Sequence, residues 1–348
     1  MRRRLWVLLI ALLLVAVAGD FFVWRGAVQR MQSGLADWIA ANRADGWSIS
    51  TAPPEAGGWP LAATLTLRTV AVQGGAADIP DGLDWRAERV VLRLGLRHPL
   101  ELRVDAEGAQ RLRVSDAPDI AYTAGDLHLL VPLQSDSSSQ PLDLHGEALR
   151  AQIPVAGADD TLTLDRLELD AVVHPGAPQG QPALSVALAA DGVTLPSRVK
   201  WALGGRIASV ALDAALNGPL PDVVGVTAAA TKWRDDGGSL EVQRLQTQWG
   251  KLGLMATATL ALDPELQPMG TGTAHVTGYA ETLDALARNG LMSRSAATTA
   301  KAVLSLLADT PDNGSPSEVE VPLSLQYRTL SMRQVPLVRL PELDWPPP

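Results

Sequence analysis

Leu252-Gly253-Leu254-Met255-Ala256-Thr257-Ala258-Thr259-Leu260-Ala261-Leu262 decides how the rest of this 348-residue chain reads. Leu252, Leu254, Ala256, Ala258, Leu260 and Leu262 fall on every second position, with Met255, Thr257 and Thr259 between them. Successive side chains of a β-strand point to opposite faces, so the run has one apolar face and one wet face. Asp263-Pro264 closes it with a turn-forming pair.

The same period recurs on both sides. Downstream, Val319, Val321, Leu323, Leu325 and Tyr327 alternate as a final strand. Upstream, Leu61, Ala63, Leu65 and Leu67 alternate with Thr64, Thr66 and Arg68, and Val90, Leu92, Leu94 and Leu96 with Arg89, Arg93 and Arg97. Leu100, Leu102 and Val104 alternate with Glu101, Arg103 and Asp105, and Ile120 to Leu133 holds one or two more strands. Leu142 to Leu144, Thr161 to Ala171, Leu184 to Leu188, Ile207 to Leu216 and Val223 to Trp233 continue the pattern. Gly, Pro, Asp or Asn punctuates the runs with no helical pattern between most of them. That predicts an antiparallel meander and not βαβ units. The apolar phase slips between Leu67 and Val70 and between Leu164 and Leu167. Each slip predicts a bulge or a change of face.

One helical interruption is expected in the β region. Glu281 to Arg288 carries Leu283 and Leu286 and stops at Asn289-Gly290, and Ser295 to Ala308 follows with Ala300, Val303, Leu304 and Leu307 on one side. This predicts a small helical hairpin capping or plugging a sheet edge. The expected fold is therefore mainly β, a long curved antiparallel sheet that is either groove-like or sandwich-like.

The N-terminus reads differently. Arg2, Arg3 and Arg4 precede an unbroken apolar run from Leu5 to Ala18, and Phe21-Phe22-Val23-Trp24 resumes it after Gly19-Asp20. Leu5 to Trp24 is long enough to cross a bilayer core as a helix. The arginine cluster should stay on the cytoplasmic side and send the bulk of the chain across. Ala16-Val17-Ala18 offers a signal-peptide cleavage pattern as the alternative. The aromatics beyond it and a helical stripe through Trp24, Val28, Met31, Leu35, Trp38 and Asn42 favour an uncleaved anchor that ends at Asp45-Gly46. The expected organisation is an anchor at 1–24, an amphipathic helix at 25–46, a first β module at 47–133, a polar Ser-rich loop at 134–141, and a second β module at 142–348 with helices at about 281–308.

Charge and composition bound the function. The chain carries a net charge of −9 and no cysteine. Its first 25 residues, with four arginines and one aspartate, carry +3, which leaves −12 on the remainder. An acidic body without a basic cluster is a poor nucleic-acid binder, and thiol chemistry and thiolate metal sites are excluded. Ten of the fifteen aromatic residues are Trp, which read first as core filler with a polar handle.

Two resemblances follow from particular residues. The anchor, Asp45-Gly46-Trp47 and Gly57-Gly58-Trp59-Pro60-Leu61 resemble the uncharacterised bacterial "domain of unknown function 2125" family. Gln248-Trp249-Gly250-Lys251-Leu252-Gly253-Leu254, Gly270-Thr271-Gly272, and Val321-Pro322-Leu323-Ser324-Leu325 running into Val335-Pro336-Leu337 resemble the C-terminal part of AsmA-like, membrane-anchored envelope proteins. These imply a Gram-negative inner-membrane protein facing the periplasm. The AsmA-like resemblance further implies a curved sheet whose apolar face accommodates lipid, and neither family brings catalytic residues.

No catalytic constellation is expected. His98, His128, His145, His174 and His275 stand singly, without metal-ligand spacing. There is no G-x-S-x-G elbow. Asp159-Asp160 and Asp235-Asp236 could hold Ca²⁺, but acidic pairs in turns read first as solvated hairpin caps. No catalytic residue, cofactor or metal is assigned, and the chain is expected not to be an enzyme. The candidate site is an apolar ligand face formed by Leu252, Leu254, Ala256, Ala258, Leu260, Leu262, Val321, Leu323 and Leu325. Candidate partners are the membrane, lipid and other envelope proteins. The alternatives are a scaffold whose strand faces form an ordinary packed core, and an exported hydrolase.

Overall fold

The computed structural model describes residues 2–75, 82–95, 98–115, 117–133, 139–155, 157–221, 223, 225–308, 317–332 and 335–345. Two compact units emerge, residues 1–134 and 135–348. Most of the Ser-rich loop, Gln134 to Ser138, lies outside the described residues, as do Leu96 and Arg97. All described strand pairings within each unit are antiparallel, and the fold is mainly β.

The first unit begins with one helix, α1 (Arg2–Ala44). It stops at Gly46, whose φ of +86° no L side chain adopts readily, and the Gly46 and Trp47 amides bond back to the carbonyls of Arg43 and Asn42. Seven strands follow: β1 (Ser48–Ser50), β2 (Glu55–Gly57), β3 (Ala62–Gly74), β4 (Leu83–Gly95), β5 (Glu101–Val114), β6 (Ile120–Thr123) and β7 (Asp126–Pro132). β3, β4 and β5 pair in order; β1 and β2 share the free edge of β3, and β6 and β7 that of β5.

The alternating residues of β3 and β4 are the core of this unit. Ala63, Leu65, Leu67 and Val70 bury against Ala87, Val90, Leu92 and Leu94, and α1 lies over them with Val28 buried and Trp24, Met31 and Leu35 packed at the margin. Trp38 does not continue the helical stripe: it is 51% exposed, and Ile39 is half-buried instead. Asn42 returns to the stripe as half-buried, and beside it the exposed Arg43 donates from its guanidinium to the Ile49 carbonyl of β1 at 2.5 Å.

The second unit is a ten-strand meander in which each strand pairs with the next: β8 (Gln140–Val155), β9 (Ala158–Val173), β10 (Pro182–Thr194), β11 (Arg206–Asn217), β12 (Ser239–Trp249), β13 (Leu252–Leu262), β14 (Pro268–Thr277), β15 (Glu318–Gln326), β16 (Thr329–Met332) and β17 (Val335–Arg339). Tyr327 is not part of the last long strand. It is 85% exposed in the turn after β15, with φ +49°.

Three helices interrupt the meander. The strand expected over Val223 to Trp233 is in its described part largely a helix, α2 (Val226–Asp235). Three consecutive alanines favour helix over strand, and Trp233 faces inward, its indole donating to the Asn217 carbonyl at 3.0 Å. A Cβ on Gly238 would stand 2.3 Å from that indole, so the turn glycine clears the space. The expected hairpin is α3 (Tyr279–Arg288) and α4 (Arg294–Leu307), with Ser293 as N-cap accepting from the Ala296 amide at 3.1 Å. Lys301 of α4 reaches Asp284 of α3 at 2.6 Å. The pair lies against β13 and β15, inside the meander and not at its last strand, β17.

Both phase slips are irregularities in the ladder. In the first unit Thr69 has φ +53° and Gly108 φ +81°, and the β4–β5 register shifts between Ala87 and Arg89. In the second, Ala148 has φ +51° and Gly192 φ +67°, and Asp165 lies between them on β9. Such insertions bend and twist a sheet where they fall.

Candidate apolar ligand face

Register determines which side chains share a face. On β13, Leu254, Ala256, Ala258, Leu260 and Leu262 stand opposite Val276, Ala274, Gly272, Gly270 and Pro268 of β14. Those in turn oppose Val319, Val321, Leu323 and Leu325 of β15 from Val276 to Gly270. Residues directly opposite in an antiparallel pair point the same way, so the nine candidate residues do come to one face of one sheet. Gly270 and Gly272 have a structural reason: a Cβ on either would run into the β13 backbone at 2.1 Å and 2.4 Å.

The face extends well past the residues read from sequence. On β12, Leu240, Val242, Leu245, Thr247 and Trp249 oppose Leu260, Ala258, Ala256, Leu254 and Leu252, across a bulge at Gln243-Arg244. On β11, Leu216, Ala214, Leu212 and Val210 continue it, and on β10 Leu184, Val186, Leu188 and Ala190. Leu169 and Leu167 of β9 and Leu144 of β8 complete a run of eight strands. The opposite side carries Asp170, Glu168, Asp213, Gln246, His275 and Glu320. The β12 bulge turns Arg244 to that wet side, where it donates to both carboxylate oxygens of Asp213 at 2.7 and 3.2 Å.

Burial separates this face from the core of the first unit. Every β12 and β13 residue on it is half-buried and none is fully buried. Val321 and Leu323 are half-buried, whereas Val319 and Leu325 near the two ends of β15, and Ala274 on β14, are buried, Leu325 at 7% exposed. A helix laid across β12 and β13 would bury them as α1 buries Leu65, which is 0% exposed.

The ends of the face are tied down. At one end Trp201 packs on Trp249 with ring centroids 6.1 Å apart, and Trp249 donates to the Gly204 carbonyl at 2.7 Å. At the other, the residues after β17 fold back. Gln267, 6% exposed, donates to the Leu343 carbonyl and accepts from the Leu343 amide, and Trp345 donates to the Leu266 carbonyl.

Among the described residues one group of three metal-ligating side chains exists, Asp105, Asp126 and His128, with ligand atoms within 4.8 Å of one another. The sequence could not show it, because it depends on Asp105 standing opposite His128 across β5 and β7. Arg103 already bridges both carboxylates, at 2.5 Å to Asp105 and 3.1 Å to Asp126, and Arg93 lies 3.7 Å from the second Asp105 oxygen. Partial burial works to lower the Arg103 guanidinium, but its bonds to the two carboxylates outweigh that and hold it above its ordinary value. The charges are balanced by protein, so the group reads as an ion-pair network. The paired aspartates serve as turn caps and ion-pair partners: Asp160 accepts from the amides of Arg198 and Thr161, Asp235 pairs with Arg234, and Asp236 with Lys232.

The family described as "uncharacterized protein conserved in bacteria (DUF2125)" matches residues 24–341, and the chain belongs to it. No curated protein and no solved structure matches.

Proposed function

We propose that this member of the DUF2125 family is held in a membrane by α1 and carries, in its second unit, a non-catalytic binding face for an apolar ligand, lipid acyl chains being the chemistry that fits. The observation that carries this reading is the apolar face spanning β8 to β15, left half-exposed over β12 and β13. Burying such surface is favourable by about 0.8 kcal/mol per methylene, and an acyl chain supplies methylenes in a row. α1 is long and apolar enough to cross a membrane, and Arg2, Arg3 and Arg4 before the apolar run favour an orientation that exports both units. In a Gram-negative cell that compartment is the periplasm, in keeping with the AsmA-like resemblance of the C-terminal half.

Photo-cross-linking tests the reading. Full-length protein is reconstituted in vesicles containing a phosphatidylethanolamine with a diazirine on its acyl chain, and cross-linked peptides are mapped. Cross-links in α1 and also on β12, β13 and β14 are expected, and Leu254→Arg with Leu260→Arg should remove the strand cross-links while α1 cross-links persist. Cross-links confined to α1 in the parent protein would refute lipid binding by the face and leave it to a protein partner.

A further inference from the structure

The turn between β2 and β3 bears on how the first unit meets the membrane, and the inference rests on the reading that α1 crosses it. Leu5 to Trp24 rises about 30 Å as helix, the depth of a bilayer's hydrocarbon core, so Arg25 marks the far interface. The β2–β3 turn returns to the helix at that level. The Trp24 indole donates to the Gly57 carbonyl at 3.0 Å. Gly58-Trp59-Pro60-Leu61 then continues past it, and the Trp59 ring meets Phe21 edge to face, centroids 6.4 Å apart. Phe21 is three residues before Trp24, about 4.5 Å further along the axis toward the lipid. The tip of the turn therefore reaches below the point where the helix leaves the membrane.

The tip is rigid and apolar. Gly58 has φ +87°, a Cβ there would meet the Ala62 carbonyl at 2.6 Å, and the Ala62 amide closes the turn onto the Gly58 carbonyl at 3.0 Å. Leu61 is 80% exposed and Trp59 45%. The same end of the sheet presents Leu100 and Leu133, each about half exposed, joined by a 2.8 Å bond from the Leu133 amide to the Leu100 carbonyl. The opposite end is charged: Asp84 binds Arg86 at 2.8 Å and lies 3.7 Å from Arg113. Among the described residues the large exposed apolar side chains Trp59, Leu61, Leu100 and Leu133 gather at one end of this sheet, and it is the end at which α1 emerges.

We propose that the Gly58–Leu61 turn, flanked by Leu100 and Leu133, is a second membrane-contacting element that inserts into the interface beside α1 and fixes the first unit end-on to the bilayer. Trp59 is suited to that depth, its ring in the acyl boundary and its N–H at the headgroups.

The absence of cysteine makes the test direct. Leu13→Cys, Leu61→Cys and Val114→Cys are made singly in the full chain, labelled with a nitrobenzoxadiazole thiol reagent, and reconstituted in phosphatidylethanolamine–phosphatidylglycerol vesicles. All three positions are exposed on the protein, so the fold should survive each change, which circular dichroism checks. The expected result is blue-shifted emission and several-fold stronger quenching by nitroxide-labelled lipid at Leu13 and Leu61, with Val114 remaining in water. Leu13 in lipid but Leu61 in water overturns the second contact and leaves the anchor standing. Leu13 in water overturns the anchor and this inference together. Leu61 and Val114 equally quenched overturns the end-on arrangement.

Discussion

Leu65 of β3 and Leu254 of β13 are the same residue type at equivalent positions, the apolar phase of a long antiparallel strand. Leu65 has no exposed surface, whereas Leu254 is only half-buried. The difference lies outside the strands. In the first unit a helix supplied by the same chain covers the apolar face, placing Val28, Trp24, Met31 and Leu35 against it. In the second unit α3 and α4 lie against β13 and β15, and the β12 and β13 residues of the face stay half-buried. Alternation in a strand thus states that a face is apolar, and only the neighbouring elements state whether it is a core or a surface.

Three substitutions test that contrast, in falling order of effect. Leu65→Ala should cost about 2–5 kcal/mol, since it opens a cavity under α1, while Leu254→Ala should cost less, about 1–2 kcal/mol, because that side chain is only partly buried. Hydrogen exchange localised to each unit reads the two separately, and equal losses would show that the β13 face is packed after all. Trp24→Phe keeps a six-membered aromatic ring but removes the indole N–H that holds Gly57 together with the five-membered ring that carries it; the lost hydrogen bond alone is worth about 1 kcal/mol. It should appear as faster exchange around residues 55–62, and unchanged exchange there would mean that the helix is not tied to the turn.

Asp84→Asn should matter least. The Arg86 hydrogen bond, helped by Gln73 and Arg113, holds the Asp84 carboxyl below its ordinary value against a burial contribution that raises it. A depressed carboxyl stabilises the fold above the unfolded value and loses that contribution as pH falls through the folded one. The two proteins should therefore differ by less than about 1 kcal/mol near neutrality and converge in acid. A difference that grows on acidification would show the sign to be wrong.

Much of the fold was legible because its signals are local. Period-two alternation marked most of the strands, Asp45-Gly46 the end of α1, and Asn289-Gly290 the break between α3 and α4. The slips near Thr69 and Asp165 marked real irregularities, since a strand cannot change phase without one. What failed was decided elsewhere. Val223 to Trp233 contains enough β-branched residues to pass as a strand, yet its three alanines and the glycine-lined seat for Trp233 make most of it a helix. Trp38 fell off the packed stripe, and Ile39, one position on, is half-buried in its place. Six of the nine candidate residues lie on one strand and could be placed on one side from sequence; joining them to Val321, Leu323 and Leu325 required register through β14. The width of the face across β8 to β12, and the meeting of Asp105 with His128, are equally products of pairing.

The central claim is that the β12–β13 face is a binding surface and not an unfinished core. Native mass spectrometry of the full-length protein, released from detergent and followed by lipid extraction, tests it most directly. The account predicts a near-stoichiometric lipid adduct that disappears with Leu254→Arg and Leu260→Arg while the fold persists. A folded parent protein of bare polypeptide mass, with no lipid in the extract, would contradict it.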